Sequence, residues 1–129
     1  MTLKTFLLEF FTWWNGQTLG TRFFTWRKGE FVGEDELGNK YYRERGGKRR
    51  WVIYNGEAEA SRSTSDWHGW LHYRVDTPPT KEPYSARPWQ APYQPNPTGT
   101  PAAYHPPGSL AVPRPREEGS GDYEAWRPE

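Results

Sequence analysis

The fold is predicted best by one stretch, Glu30-Phe-Val-Gly-Glu-Asp-Glu-Leu-Gly-Asn-Lys-Tyr-Tyr-Arg-Glu-Arg45. Strand-forming residues flank Gly38-Asn39, a pair typical of a two-residue turn between antiparallel strands. Gly46-Gly47 then leads into Arg49-Arg-Trp-Val-Ile-Tyr54, where apolar side chains on both faces predict a strand that is covered on both sides. Upstream, Thr21-Arg-Phe-Phe-Thr-Trp-Arg27 is also rich in strand formers. The sequence therefore predicts a small antiparallel meander of three or four strands.

A short helix is predicted ahead of the sheet, over residues 3–14. Its apolar side chains recur at the i, i+3, i+4 spacing of one helix face: Leu3, Phe6, Leu7, Phe10 and Trp14. Asn15-Gly16 marks its end. Three roles stay open for this face: it covers the domain's own core, it docks into a groove of a partner, or it lies in the interface of a bilayer.

A second helix is predicted over residues 66–73, with Ser65 or Asp66 as the cap of its first turn. One face carries Trp67, Trp70 and Leu71. His68 and His72 stand four residues apart, a spacing that can bind a metal. Two ligands are too few and no matching third group follows, so we expect no metal and interpret the two rings as hydrogen-bonding groups at an interface. We expect Trp51 and Trp70 at the centre of the core.

Composition divides the 129 residues into two regions that meet near Pro78. All thirteen prolines lie at or after Pro78, and all six phenylalanines lie before it. Because dense proline removes backbone donors and favours extended backbone, the two regions should fold differently. We predict an N-terminal amphipathic helix in residues 1–19, a small antiparallel sheet plus the Trp/His helix in 20–76, and a long extended arm with little regular structure in 77–129. The predicted fold class is mainly β with short helices.

The arm carries aromatic rings at intervals among its prolines: Tyr84, Trp89, Tyr93, Tyr104, Tyr123 and Trp126. A free linker would be rich in Gly and Ser and poor in rings. Spaced aromatic anchors suit a strap that lies across another protein, because proline lowers the entropy lost on ordering. The alternative is disorder with incidental aromatic residues.

The residue types give no support to a catalytic, cofactor or metal site. The chain has no Cys, which excludes disulfides, thiolate metal sites and a Cys nucleophile. It also lacks a Gly-x-Ser-x-Gly elbow and a phosphate-binding Gly-Lys-Ser/Thr loop. No apolar run approaches the roughly 20 residues that cross a membrane, and Glu9 interrupts what could have been a signal peptide.

Nucleic-acid binding is the alternative from another functional class. Aromatic and basic residues interleave between Tyr41 and Trp51, and rings of this kind can stack single-stranded bases. The net charge is only +1, and carboxylates of the same hairpin offset much of the local positive field. These carboxylates are Glu34, Asp35, Glu36 and Glu44. We therefore favour a charged edge that faces a partner protein, and expect no nucleic acid.

Several motifs, taken in order, resemble those of one known family. They are Phe31-Val-Gly-Glu-Asp-Glu-Leu-Gly-Asn-Lys-Tyr-Tyr42, Lys48-Arg-Arg-Trp-Val-Ile-Tyr54, Trp67-His-Gly-Trp-Leu-His72, Pro78-Pro-Thr80, Asn96-Pro-Thr-Gly-Thr-Pro101, Tyr104-His-Pro-Pro107 and Tyr123-Glu-Ala-Trp-Arg-Pro128. Together they resemble the 17.2 kDa accessory-subunit family of respiratory complex I, NADH:ubiquinone oxidoreductase. One departure is Ser63-Thr64, which stands where many relatives carry a proline pair.

The resemblance implies a non-catalytic, cofactor-free subunit that binds other complex I subunits, especially the iron–sulfur subunits of the quinone-reducing region. It implies a peripheral position on the cytoplasmic face of the bacterial inner membrane, or on the matrix side of the mitochondrial one. A related assembly factor of the same family shares the 31–42 motif but lacks the motifs at 98–101 and 104–107, so the arm favours the resident subunit. The chain starts close to the family region without an Arg-rich presequence, which favours a bacterial protein, with a processed mitochondrial form as the alternative.

The predicted partner-binding residues are rings spread over all three parts of the chain. They are Phe10, Trp14, Tyr41, Tyr42, Trp67, His68, His72, Trp89, Tyr93, Tyr104 and Trp126. The N-terminal helix is the part in which contact with a membrane surface stays open beside contact with protein. In either case the expected assembly is a hetero-oligomer.

Overall fold

The computed structural model describes residues 2–106, 108–111 and 126–128. Its elements follow in chain order: α1 (Leu3–Phe11), α2 (Leu19–Lys28), β1 (Gly29–Glu34), β2 (Lys40–Glu44), β3 (Arg50–Ile53), a 3-10 turn (Ala60–Arg62) and α3 (Ser65–Leu71). The predicted antiparallel meander with short helices is confirmed, with strand order β1-β2-β3. Packing divides the chain between Asn96 and Pro97, and the two parts are considered separately.

The register of the sheet gives its two faces different partners. On one face Gly33, Tyr41 and Val52 are neighbours, and on the other Phe31, Tyr42 and Trp51. A bulge between Phe31 and Gly33 shifts the pairing by one residue. As predicted, β3 is covered in part on both faces. The β1–β2 connection is a five-residue loop, 35–39, instead of a two-residue turn, and Gly38 takes a φ of 81° in it.

The predicted strand over residues 21–27 is wrong, because this segment lies inside helix α2. Thr18 caps the helix, and its side-chain oxygen accepts a hydrogen bond from the Thr21 N–H at 3.2 Å. Phe24 packs against Trp51 with ring centroids 5.2 Å apart, and the Trp51 indole N–H donates to the Thr25 hydroxyl at 3.0 Å. The cap and this contact outweigh the weak strand preference of the local sequence.

The other two helices begin or end at residues that differ from the predictions. Helix α1 ends at Phe11, and Thr12 is extended, so Trp13 and Trp14 follow the helix instead of belonging to it. The cap residue of α3 is Thr64, not Ser65 or Asp66. The Asp66 carboxylate accepts from the Thr64 hydroxyl at 2.7 Å and from the Trp67 N–H at 2.9 Å. Asp66 therefore orders the first turn from inside the helix.

Among the described residues, the core lies between the sheet and α3 and consists of three rings. Tyr41, Trp67 and Trp70 are buried, with Val32, Val52 and Leu71 packed against them. Tyr41 stacks on Trp67 with centroids 4.1 Å apart, and Trp70 meets Trp67 edge to face at 5.7 Å. The predicted apolar face of α3 is confirmed. Trp70 is a core residue as expected, whereas Trp51 is only half-buried and belongs to the opposite face of the sheet.

The part of the arm up to Asn96 packs with the folded module. The Thr80 hydroxyl donates to the Val32 carbonyl at 3.4 Å, the Tyr93 hydroxyl donates to the Ser61 carbonyl, and the Asn96 N–H donates to the Ser61 hydroxyl at 3.2 Å. Among the described residues after Leu71 there is no helix or strand. The predicted anchor Tyr123 lies outside the described residues. The three-part division and the extended course of the arm stay predictions.

Candidate docking surfaces

Helix α1 buries its carboxylate, Glu9, and exposes most of its apolar side chains. The exposed fraction is 75% for Leu3, 63% for Phe10 and 71% for Phe11, whereas Glu9 is only 6% exposed. A surface helix normally buries its apolar stripe. The predicted apolar face therefore does not cover the domain's own core, and the remaining roles are contact with another protein or with a bilayer.

Exposed rings are also present in the linker after α1 and on α2. We call this set the N-terminal aromatic surface: Leu3, Phe6, Leu7, Phe10, Phe11, Trp13, Trp14, Phe23 and Trp26. Phe23 and Trp26 are 5.8 Å apart on α2, and Trp13 meets Trp14 edge to face at 5.8 Å. Exposed apolar residues in such number mark an interaction site. Phe10 and Trp14, two predicted contact residues, lie in it.

A charged pair holds α1 against α2. The Arg22 guanidinium donates through Nε to Glu9 Oε2 at 2.7 Å and through a terminal nitrogen to Glu9 Oε1. This hydrogen bond raises the pKa of Arg22 above its ordinary value. Bidentate pairs of this kind fix geometry as well as charge. The pair explains how a helix with few polar residues keeps its apolar side turned outward.

Replacing Arg22 with Ala should release α1 from α2. Glu9 would lose its cationic partner in a buried position, which favours local opening of α1 by about 1–3 kcal/mol. Hydrogen exchange measured by mass spectrometry should show faster exchange of the α1 amides. Arg27→Ala, a change of an exposed arginine on the same helix, is the matched control. If the α1 amides exchange equally slowly in the wild type, Arg22→Ala and Arg27→Ala, the pair does not hold α1 in place.

Two predicted contact residues, Tyr41 and Trp67, lie in the core. Tyr41 is fully buried and Trp67 is 3% exposed, so neither offers a surface to a partner. Gly33 explains part of their packing, because a Cβ at that position would lie 2.8 Å from the Trp67 ring. The Gly33 position in the family motif thus serves the stacking of Trp67 on the sheet.

The same motif builds a hydrogen-bond network around Asp35. Its carboxylate accepts from the N–H of Leu37 and Asn39, from the Asn39 side-chain amide at 2.9 Å and from the Tyr41 hydroxyl at 2.8 Å. Tyr41 also shares a hydrogen bond with Ser63. Burial of the Tyr41 hydroxyl raises its pKa above the ordinary value, so it stays a neutral donor. These motif residues therefore order the loop at 35–39.

The second face of the sheet carries a row of rings. Phe31 and Tyr42 are 5.6 Å apart, Tyr42 and Trp51 are 6.1 Å apart, and Phe24 of α2 closes the row beyond Trp51. Cross-strand aromatic pairs stabilise sheets. Phe31, at the β1 end, is 56% exposed. Tyr42, a predicted contact residue, is half-buried within this row.

Two arginines of the interleaved stretch between Tyr41 and Trp51 are engaged within the protein. Arg50 donates to the Trp70 carbonyl at 2.6 Å and lies over the Trp70 and Tyr73 rings. Arg43 forms a two-point pair with Glu30, and this hydrogen bond lowers the pKa of the Glu30 carboxyl. The structure therefore gives the single-strand alternative no free stacking platform at Tyr41 or Trp51.

His68 and His72 lie together on the exposed side of α3. Their ring centroids are 4.2 Å apart, and both side chains are exposed. Within the part of the chain that the structure describes, no group of three or more His, Cys, Asp or Glu could hold a metal ion. The pair can offer hydrogen bonds to a partner, which stays a prediction.

The arm presents large rings to solvent. The exposed fraction is 80% for Trp89, 82% for Tyr104 and 81% for Trp126. Tyr93 is less exposed because its hydroxyl donates to the Ser61 carbonyl. Beside Tyr93, an open groove of about 550 Å³ is lined by residues of β1, the β1–β2 loop and α3, including Glu34, Asp66 and Trp67. Trp89, Tyr104 and Trp126 are accessible, as contact residues must be.

These features define a small β module with two groups of exposed rings, a class of protein that suits a place in a larger assembly. A family model described as NADH ubiquinone oxidoreductase subunit NDUFA12 matches residues 29–128. The chain belongs to this family. No helix among the described residues is long and apolar enough to cross a membrane.

Individual relatives cover the centre of the chain. NADH dehydrogenase (ubiquinone) 1 alpha subcomplex subunit 12 of Bos taurus is 43% identical over 68 residues, which are 43% of this chain and 47% of that protein. The probable subunit 12 of Arabidopsis thaliana is 45% identical over 51 residues, 35% of this chain and 32% of that protein. An uncharacterized protein of Rickettsia prowazekii is 38% identical over 65 residues. This match covers 46% of this chain and 63% of that protein. The chain thus spans about half the length of the cattle relative.

The Glu9–Arg22 pair and the role of Asp35 were not predicted from the sequence. The signal for the pair was Glu9, the single carboxylate of a helix with six apolar residues out of nine. The signal for Asp35 was its spacing from Gly38-Asn39, since Asp often accepts hydrogen bonds from backbone N–H groups of a following turn. The sequence instead suggested that Asp35, like Glu34 and Glu36, offsets the positive charge of the hairpin.

Proposed function

We propose that this chain is a non-catalytic accessory subunit that binds and stabilises the peripheral arm of respiratory complex I. Its partners are other subunits of the complex, above all the iron–sulfur subunits near the quinone-reducing region. In this role it supports electron transfer from NADH to ubiquinone and holds no cofactor of its own. The observation that carries the proposal is the family match, which extends from β1 through the arm.

The distribution of the exposed rings supports a docking role for the arm. Trp89, Tyr104 and Trp126 are each about four-fifths exposed. Aromatic rings are enriched at the centres of protein interfaces, where they exclude water. Several such anchors on one chain raise the effective concentration of each. We propose that these three rings, with Tyr93, Tyr42, His68 and His72, contact neighbouring subunits.

We propose a peripheral location on the cytoplasmic face of the bacterial inner membrane, or on the matrix side of the mitochondrial inner membrane. The N-terminal helix is the part of the chain that contacts the membrane surface. Peripheral attachment suits α1, a helix of only nine residues whose rings face outward.

An assembly factor of the same family is the second candidate function. The arm motifs Thr98-Gly-Thr-Pro101 and Tyr104-His-Pro-Pro107 favour the resident subunit, because the assembly factor that shares the 31–42 motif lacks them. The two candidates differ in which form of the complex retains the chain.

The test is isolation of complex I from membranes that contain a tagged copy of the full chain. Mild detergent should keep the chain with the fully assembled complex in a one-to-one ratio, measured by quantitative mass spectrometry. Replacing Trp89 and Tyr104 together with Ser should lower retention by about tenfold, since hot-spot rings contribute strongly to binding. The matched control is the Phe23→Ser, Trp26→Ser pair, which removes exposed rings outside the matched region.

Two outcomes would overturn the proposal. A chain found only with partly assembled intermediates would be an assembly factor. A chain that leaves the complex at high salt and retains nucleic acid at low salt would instead be a single-strand binder. Cross-linking mass spectrometry on native membranes should join the arm to iron–sulfur subunits, and cross-links confined to other modules would refute the proposed position.

A further inference from the structure

The N-terminal aromatic surface has positive charge beside its rings. Residues 1–28 contain four basic side chains, Lys4, Arg22, Arg27 and Lys28, and a single carboxylate, Glu9. That carboxylate is buried and paired with Arg22. Lys4, Arg27 and Lys28 are exposed. The surface therefore combines exposed Leu, Phe and Trp with net positive charge and presents no negative charge from a side chain of this segment.

This combination is typical of segments that lie in the interface of an anionic bilayer. Interfacial helices place Trp, Phe and Leu into the boundary between headgroups and acyl chains, and Lys and Arg attract anionic headgroups. A helix that docks into a protein groove uses a single stripe of anchors. Here the exposed apolar residues spread over α1, the Trp13-Trp14 linker and the outer side of α2. Spread anchors fit a planar surface better than a groove.

We propose that the N-terminal aromatic surface binds bilayers that contain anionic phospholipids, with α1 and α2 both lying on the membrane. The inference rests on the membrane contact of the proposed function and deepens it by naming the lipid class and by adding α2. The Glu9–Arg22 pair supports membrane binding, because it buries the one carboxylate of this segment and leaves the rings of α1 exposed.

The membrane-binding segment is separate from the region that defines the family. The family match begins at Gly29, the first residue of β1, whereas the aromatic surface ends at Trp26. The module and the arm can therefore bind protein while the first two helices bind lipid. Two linked contacts raise the effective concentration of each, so a weak lipid contact would strengthen attachment to a membrane-bound complex.

The test is sedimentation of the purified full chain with vesicles of phosphatidylcholine, with or without added phosphatidylglycerol. The chain should bind the anionic vesicles, and salt should weaken the binding. Removing two charges with Arg27→Gln and Lys28→Gln should weaken binding by roughly 30-fold, since each basic residue near the surface contributes about 1 kcal/mol. Arg45→Gln with Lys48→Gln, exposed positions outside the first two helices, should leave it unchanged.

A second pair of variants tests the rings. Phe10→Ser with Trp26→Ser removes one ring from each helix and should reduce vesicle binding by at least about tenfold. Trp89→Ser with Tyr104→Ser should have no effect on vesicles. Circular dichroism on each protein checks that the variants fold.

The outcomes separate this inference from the proposed function. Absence of vesicle binding, or equal binding to neutral and anionic vesicles, overturns the lipid inference. If the Phe10 and Trp26 variant loses complex I in detergent, the surface is a protein docking site and the inference is wrong while the accessory role stands. If vesicle binding follows the expected pattern but no variant or wild-type chain associates with complex I, the proposed function fails and the lipid site remains.

Discussion

Replacing Trp67 with Ala should nearly unfold the module. The ring is 3% exposed and stacks on Tyr41 at 4.1 Å, so the change leaves a cavity between α3 and the sheet. Truncation of a buried Trp costs about 3–5 kcal/mol, which approaches the total stability of a small domain. Urea denaturation of the full chain, monitored by circular dichroism, should show this decrease in the free energy of unfolding.

The control for this change is Trp89→Ala, since Trp89 is 80% exposed. Its free energy of unfolding should stay within about 0.5 kcal/mol of the wild type. Gly33→Ala supplies a second check, because the added methyl meets the Trp67 ring. Coupling between Gly33→Ala and Trp67→Ala in a double-mutant cycle should exceed about 0.5 kcal/mol. A Trp67→Ala protein as stable as the Trp89 control would show that the core is elsewhere.

Replacing Asp35 with Ala should have the second-largest effect. The carboxylate accepts four hydrogen bonds, two of them from the fully buried residues Asn39 and Tyr41 through their side chains. Each buried donor left without a partner costs about 1–3 kcal/mol. Tyr41 keeps Ser63, and the Asn39 amide keeps the Arg62 carbonyl, so we expect a total loss of about 3 kcal/mol.

The matched control is Glu36→Ala, an exposed carboxylate one residue further along the same loop. It should change stability by less than about 0.5 kcal/mol. Asp35→Asn keeps one acceptor oxygen, so its loss of stability should lie between those of Asp35→Ala and Glu36→Ala. If Asp35→Ala and Glu36→Ala cost the same, the network does not stabilise the loop and the motif needs another explanation.

Residues with a strong local pattern were predictable. Alternation around Gly38-Asn39 and in the segment 49–54 predicted β2 and β3, and helical spacing predicted the buried face of α3 at Trp67 and Trp70. The ordered motifs of the matched region predicted the family. Each of these predictions rests on turn residues, side-chain periodicity or motifs in neighbouring residues. None of them required knowledge of a distant contact.

The helical conformation of α2 could not be predicted from local sequence, because it depends on distant contacts. The segment 21–27 has the composition of a strand, yet it forms α2 because Thr18 caps it and Phe24 packs on Trp51. β-propensity reports how a side chain fits its surroundings more than it fixes the backbone.

Side-chain period, turn residues and motif order were enough to predict the meander, the aromatic face of α3 and the family. Which rings of the sheet and of α1 are buried could be known only from the tertiary structure. Tyr41 and Tyr42 are neighbours in sequence, yet Tyr41 is fully buried while Tyr42 joins the row on the other face. The tertiary structure also decided that α1 buries Glu9 and exposes Phe10, because Arg22, 13 residues away, provides the partner. Burial is a property of two surfaces that meet, and the local pattern describes only one of them.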